Sequence, residues 1–283
     1  MPFVQTAELV QKAYEGHYAV PAFCAWNAEM VDVILQTAER LRSPVIILSA
    51  WVDFTLIEPS LFKKLASVVM DKYTIPAAIH LDHGRSMEEA KDCIAANYGG
   101  IMVDCSARPY AENAETLREA VELAKPNGIS VEGEIGHVGR LDESTPEGAD
   151  TASLSDPEEV AQYVQDTGID MVAVSIGNVH GAFKGLPKLD FDLLQAIRDT
   201  VSVPLVLHGG SGTPEEELKQ CIELGISKVN VATEIVKCIR ESILEQWGSE
   251  RNLWIPLAFS EAIKGVPEIL EKWIRKLNSE NQV

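Results

Sequence analysis

Three of the six histidines in this 283-residue chain share one sequence context. His83, His180 and His208 each follow an apolar run and precede glycine, in "LDHG", "NVHG" and "VLHGG". Three imidazoles with a fourth position left open are a usual protein contribution to a catalytic zinc, and the glycines let backbone and ligand approach closely. Asp82 stands beside His83, and a carboxylate that neighbours a metal ligand without being one suits general acid/base work. Helix capping does not claim it, because Ser86 already serves as the cap of the following segment. On an extended strand Asp82 and His83 point to opposite sides unless the strand has ended there. His80 shares a face with Asp82 and is either a hydrogen-bonding partner of the site or a filler of the interior.

In "VEGEIG" Glu132 and Glu134 also share a face, and two uncompensated carboxylates inside a protein would be costly without a cation. Glu134 is expected near the metal, and Glu132 has a structural reading. His137 lies in a loop that can reach the site; His17 has no strong claim. "LHGGSGTPEEE" offers an anion site, with three glycines and Ser211 leading into a helix capped at Thr213. "NVATE" supports it by placing Thr233 at another helix start.

Eight apolar runs alternate with amphipathic segments: 18–23, 45–49, 77–81, 100–104, 130–134, 171–176, 204–207 and 228–231. Continuous short runs suit strands buried on both faces, as in a parallel sheet. Capping boxes at Ser86, Ser155 and Thr213 mark helices between them. Eight strand–helix units without a polar edge strand favour a closed (β/α)8 (TIM) barrel of the α/β class. The expectation is one domain over 1–283, with an extra C-terminal helical segment at 255–277. In that fold the site forms at the C-terminal strand ends, and phosphate binds the loops after strands 7 and 8. The strand ends also carry Asn27 and Ser49, for which a structural role and a place in the site stay equally open.

The formal charge of −19 argues against nucleic acid or an anionic membrane surface as partner, since both bind through clustered Lys and Arg. No apolar stretch is long enough for a membrane span, the start lacks a signal-peptide pattern, and five scattered cysteines suggest reduced thiols. A cytoplasmic protein is expected. A Lewis acid with a proton-moving carboxylate suits chemistry next to a ketone, although a zinc hydrolase would use the same metal to activate water. A Schiff-base route needs a lysine at the C-terminal half of a strand, and Lys228 is read at the start of its run.

"IHLDHG", "SVEGEIG", "GNVHG", "LVLHGGSG" and "KVNVATE", in this order, resemble the class II (zinc-dependent) ketose-bisphosphate aldolases, which include fructose- and tagatose-1,6-bisphosphate aldolases. The resemblance implies Zn2+ on His83, His180 and His208, with Glu134 as accessory ligand and Asp82 as proton carrier. Zinc would stabilise the enediolate of dihydroxyacetone phosphate. It implies that Gly181, Gly209, Ser211, Asn230 and Thr233 hold the phosphate and oxygens of that product, with a monovalent cation (Na+ or K+) as a further ligand; Ser49 is the substrate-binding candidate read from its strand end. Asp142 or Glu143, in the acidic loop after Glu134, would return a proton. A homodimer or homotetramer is implied, with 255–277 contributing to the interface.

Several positions depart from the family pattern. "FCAWN" replaces "FNxxN", placing Cys24, Trp26 and Asn27 at the first strand end. Asp104-Cys105-Ser106-Ala107-Arg108 replaces "DGSH", Gly139-Arg140 replaces Gly-Gly, and Ser260 stands near where a distal-phosphate arginine is common. The expected reaction is retro-aldol cleavage of a ketose 1-phosphate or 1,6-bisphosphate. The variant expectation is the same cleavage on a ketose 1-phosphate with another distal group: a 6-sulfo or carboxylate end read by Arg108 or Arg140, or an uncharged deoxy end.

Overall fold

The computed structural model describes residues 3–140, 151–181, 188–248 and 254–283. Eight parallel strands close into a barrel in the order β1 to β8. They are β1 (Val20–Cys24), β2 (Val45–Ala50), β3 (Ala77–Gly84), β4 (Gly100–Val103), β5 (Ser130–Ile135), β6 (Met171–Val174), β7 (Leu205–Leu207) and β8 (Ile226–Val231). One helix, α1 (Thr6–Gly16), precedes β1, and seven lie between strands: α2 (Ala28–Leu41), α3 (Pro59–Met70), α4 (Met87–Ala95), α5 (Tyr110–Ala124), α6 (Pro157–Thr167), α7 (Phe191–Thr200) and α8 (Glu215–Glu223). After β8 come α9 (Thr233–Gly248), α10 (Ile255–Ala262) and α11 (Val266–Lys276). No helix among the described residues is long and apolar enough to cross a membrane.

The pleat divides each strand between two layers. Outward residues such as Phe23, Ile47, Ile79, Val131, Val172 and Val229 pack beneath the helices in the larger apolar core. Inward residues Val20, Ala22, Ile46, Leu48, Ala78, Met171, Ala173 and Val206 form a second, smaller core. Leu9, Val10 and Ala13 of α1 join that inner core, so the helix plugs the N-terminal mouth. The opposite mouth, where the strands end, is left for chemistry.

Above the apolar floor the interior turns polar. Lys228 is the third residue of β8, because the strand starts at Ile226, and its side chain is fully buried in mid-barrel. Its Nζ donates to Glu132 Oε2 at 2.8 Å. His80 lies alongside, its Nε2 3.5 Å from the same carboxylate oxygen and its Nδ1 3.3 Å from Thr6 Oγ1. It therefore fills the barrel interior behind the site.

Two of the three capping boxes differ from expectation. Ser86 caps α4, accepting from the Glu89 amide at 3.2 Å. For α6 the cap is Asp156, whose carboxylate takes the amides of Glu158 and Glu159. Ser155 instead is buried between β5 and β6, donating to Ile135 O and accepting from Ser175 N. Helix α8 begins at Glu215 with Pro214 at the cap position, and the Thr213 amide closes a turn onto Gly210 O.

Candidate active site

The pivotal element is the end of β3. Its pairing with β4 shifts register between Leu81 and Gly84, a β-bulge, and His83 takes a left-handed backbone at φ 46°. A non-glycine residue there is held by its surroundings, and such strain clusters at functional sites. Alternation predicted opposite directions for Asp82 and His83; the bulge breaks it, and both side chains reach the same mouth. Gly84 permits this, because a Cβ there would lie 2.8 Å from Met102 O of β4.

His83, His180 and His208 present ring nitrogens within 4.8 Å of one another. Each ring is held from behind. His83 Nδ1 is 2.8 Å from Asp104 Oδ2, and His208 Nε2 is 2.8 Å from Glu132 Oε1, so the carboxylates take those N–H groups. The remaining nitrogens, His83 Nε2 and His208 Nδ1, then face each other at 2.9 Å with their lone pairs. Two lone pairs at that distance require a cation or proton between them. His180 Nε2 and Glu134 Oε2 are buried without a partner, and Glu134 Oε2 lies 3.9 Å from His208 Nδ1. This donor set fits a divalent metal held by His83, His180, His208 and Glu134. A second grouping, His83, Asp104 and Glu134, is equally compact, but Asp104 is already committed to His83 and Ser106.

The electrostatics follow from these contacts. Burial disfavours the charged form of His83, yet the carboxylates of Asp82 and Asp104 outweigh it and raise its pKa to about 10. For Asp104 burial is likewise overcome, by the His83 and Ser106 hydrogen bonds, and its pKa falls well below the usual range. Glu134 is pushed up by burial and by Asp104. His180 is pushed well down by burial and by the two other histidines. Glu132 stays ionised despite burial, because Lys228 and His208 hold it.

Asp82 Oδ1 accepts from Asn230 Nδ2 at 2.8 Å and lies 3.9 Å from His83 Nε2. Asn230 Oδ1 is buried and unpartnered, which leaves an acceptor at the mouth. The glycine-rich loop after β7 crosses close to the loop carrying His180: a Cβ on Gly209, at φ 63°, would lie 2.2 Å from Val179 O. Asn178 ties the same two loops, donating to His208 O and accepting from Ile176 N. Gly212 N–H donates to Glu234 in the first turn of α9, and Trp273 of α11 donates to the same carboxylate. Gly181, Gly209 and Ser211 follow β6 and β7, Asn230 lies near the end of β8 and Thr233 opens α9, so these residues border one side of the mouth.

Ser49 does not line the mouth. It pairs with Leu81 of the outer layer, not with inward Asp82, and its hydroxyl donates to Tyr98 OH at 3.1 Å beneath the helices. The inward position at that strand end belongs to Ala50. Asn27 caps α2 by accepting from Met30 N. Cys24 ends β1, half-buried and 4.0 Å from Ala232 O, while Trp26 packs against the outer core. Ser260 is exposed on α10, which packs against α9 outside the barrel, so it does not line the mouth. Arg140 bridges to His180 in a short parallel pairing, and Arg108 lies with it beside His83. Asp142 and Glu143 fall outside the described residues.

Several residues here had no assigned role. Asp104, Ser106 and His137 form a chain behind His83: the Ser106 hydroxyl donates to Asp104 Oδ1 at 2.7 Å and lies 2.7 Å from His137 Nδ1. The available signal was "DxS" immediately after a strand, a turn in which the serine folds back onto the aspartate. Asp53 follows β2, accepts from Ala50 N, and is raised to about 6 by burial and by Asp82.

The geometry thus defines a (β/α)8 barrel enzyme with a three-histidine, one-glutamate cluster and an adjacent carboxylate. The sequence profile described as fructose-bisphosphate aldolase class-II matches residues 4–282, and the chain belongs to that family. Among solved structures, the YdjI aldolase from Escherichia coli K12 is 33% identical over 98% of both chains, with a TM-score of 0.86. A candidate fructose-1,6-bisphosphate aldolase from Coccidioides immitis is 31% identical over 98% of this chain and 96% of its own, with a TM-score of 0.87. The fructose-bisphosphate aldolase of Campylobacter jejuni shares the fold, with 20% identity, 100% and 97% coverage and a TM-score of 0.83. The protein is a class II aldolase, a carbon–carbon lyase, and this decides against the hydrolase alternative.

Proposed function

We propose that the protein cleaves a ketose 1-phosphate or ketose 1,6-bisphosphate of the fructose or tagatose type to dihydroxyacetone phosphate and an aldehyde, using zinc. The observation that carries this reading is the pair of facing imidazole nitrogens beside an unpartnered Glu134 oxygen, with Asp82 next to them on the same bulge. His83, His180, His208 and Glu134 would hold the metal, which when bound supplies a Lewis acid to the ketose oxygens.

The remaining steps belong to the chain's own groups. Asp82 takes the proton from the hydroxyl on the carbon whose bond breaks, and Asn230 orients the carboxylate through its 2.8 Å hydrogen bond. The electrons of the broken bond pass to the three-carbon phosphate fragment as an enediolate. Return of a proton to that fragment is assigned to Asp142 or Glu143, which follow Arg140 in the sequence. The backbone of Gly181, Gly209 and Ser211, with Thr233 at the start of α9, receives the 1-phosphate. The acceptor on Asn230 suits a substrate hydroxyl.

The same reading carries a homodimer or homotetramer. Leu244 and Trp247 of α9, Trp254, and Ile255 and Leu257 of α10 are exposed apolar side chains on adjacent elements, a surface of the kind that associates. Light scattering coupled to gel filtration measures the state, and a monomer at micromolar concentration overturns it.

The test of the reaction is Asp82→Ala. Zinc content by elemental analysis should stay at the wild-type value while turnover of fructose or tagatose 1,6-bisphosphate falls by about 10²–10⁴-fold. A chelator should abolish wild-type turnover and added Zn2+ restore it. Turnover by Asp82→Ala close to wild type, or chelator-insensitive cleavage, refutes the assignment.

A further inference from the structure

Across the mouth from the glycine-rich loops lies a cavity of about 250 Å³, lined by His83, Arg85, Asp104, Arg108, His137 and Arg140. In a chain with 43 acidic and 24 basic residues, three guanidinium groups converge on this recess. They come from three successive strand ends: Arg85 follows β3, Arg108 follows β4 and Arg140 follows β5. The acid of the recess, Asp104, is already engaged by the His83 ring N–H and the Ser106 hydroxyl. No carboxylate among the described residues lies within ion-pair distance of Arg108. Arg85 stacks 3.6 Å over the Trp51 ring, which holds its planar group at the rim, and Glu89 approaches it at 3.6 Å.

The barrel's closure gives this recess a direction. In an eight-stranded ring β3 and β4 stand opposite β7 and β8. His83 belongs both to the metal-ligating cluster and to the wall of the cavity. A ketose laid over the cluster with its 1-phosphate on the β7 and β8 loops therefore carries its far carbons toward β3 and β4. The cavity is below the volume typical of a site for a whole drug-sized ligand, and it suits the tail of a sugar with a compact head group. Guanidinium groups match planar and tetrahedral oxyanions through paired N–H donors, which a neutral sugar end cannot exploit.

We propose that this cavity is the subsite for an oxyanion at the far end of the substrate, with Arg108 and Arg85 as its specificity-determining residues. The substrate class is then a ketose 1-phosphate whose last carbon bears a carboxylate, sulfonate or phosphate. This rests on the aldol reading above, and it places the distal clamp on the chain's own β3–β5 loops, not on Ser260. A neutral deoxy tail offers the Arg108 guanidinium no oxyanion and is the disfavoured case.

The test uses full-length, zinc-loaded enzyme and ketose 1-phosphates identical through carbon 5, ending in a 6-phosphate, 6-sulfonate, 6-carboxylate or uncharged 6-deoxy group. Dihydroxyacetone phosphate release gives kcat/KM for wild type, Arg108→Gln, Arg85→Gln and Arg108→Lys. At least one anionic substrate should exceed the 6-deoxy sugar by about tenfold or more, consistent with charge-assisted hydrogen bonds. Arg108→Gln should collapse that ratio mainly through KM, and Arg108→Lys should recover part of it. A wild type that prefers the 6-deoxy sugar, or an Arg108→Gln variant that keeps the anionic preference, overturns the subsite.

A second readout separates this proposal from the reaction itself. Arg85 rests on Trp51, so 3-hydroxypropane-1-sulfonate and 3-hydroxypropionate should perturb tryptophan fluorescence saturably in wild type, more weakly in Arg108→Gln, and not in Trp51→Phe. If none of the four ketoses is cleaved, the aldol reading fails while the fluorescence titration still judges the cavity. Absence of any saturable response to either anion in wild type overturns the subsite.

Discussion

At the residue scale, the work each carboxylate can do is decided by what already holds it. Glu132 is saturated by Lys228, His208 and His80, so it orients a ligand and cannot move a proton. Glu134 keeps one oxygen unpartnered, and Asp82 is held only on one side by Asn230. Asp104 lies outside the proposed ligand set, where it fixes the His83 ring and its N–H. Asp104→Asn should therefore lower zinc affinity by about 10–100-fold with the fold intact, measured by competition with a chromogenic chelator; unchanged affinity would show that the ring is held by the bulge alone. Asp53 is the opposite case, a carboxylate raised to about 6 by burial and by Asp82. Because its folded pKa lies above the unfolded value, the folded state binds the extra proton, and stability from this group falls as pH rises from about 4 to about 6. The difference is of order 3 kcal/mol at most. Asp53→Asn keeps the acceptor for Ala50 N–H and should gain stability relative to wild type as pH rises through this window, read from paired urea melts at pH 4 and pH 7. Equal differences at both pH values would remove the argument.

At the element scale, the functional geometry lies where regular structure is interrupted. The eight strands are legible in the sequence because parallel strands in a closed barrel are buried on both faces and read as unbroken apolar runs. The set of residues at the mouth is legible for the same reason, since each run ends at a known rim. What alternation alone does not give is direction at those ends. Ser49 is adjacent to the inward position and one residue from it, so its side chain falls in the outer layer against Tyr98. Asp82 and His83 reach the same mouth only through a bulge that depends on pairing with β4, which no local pattern announces. The mid-strand place of Lys228 is hidden because the polar residues Ser227 and Lys228 mask the true start of β8 at Ile226. The helix α1 is amphipathic like its neighbours, and nothing local says that it closes the floor. The Gly209 turn shows how tightly such interruptions are built. Alanine at its φ of 63° costs roughly 1–2 kcal/mol before any clash. A Cβ 2.2 Å from Val179 O must also displace the segment that carries His180. Gly209→Ala should lower both the thermal midpoint and the bound zinc; a variant that melts lower with full zinc occupancy would show that the β6 and β7 loops are not coupled.

For the whole molecule, the notable arrangement is a strongly acidic protein that keeps one lysine fully buried at its centre. Lys228 and Glu132 sit between the apolar floor made by α1 and the histidine cluster above. A buried ion pair is weak evidence for net stability, because desolvation of both ions offsets their attraction, but removing one partner strands the other. Here the pair has a second consequence, since Glu132 also accepts the His208 N–H and thereby turns the other ring nitrogen toward His83 and the proposed metal position. The two roles separate in a double-mutant cycle. Lys228→Met alone leaves Glu132 without its main counter-charge, and Glu132→Gln alone leaves Lys228 buried and unpaired. Each single change should cost about 3–5 kcal/mol in urea unfolding, and the double variant far less than their sum. The Glu132→Gln change retains a carbonyl oxygen for the His208 N–H, so the double variant should bind zinc while both singles bind it poorly. Additive losses would mean that the two side chains are held by the barrel independently, and a double variant that is stable but empty of zinc would assign the negative charge of Glu132, not its geometry, to the metal site.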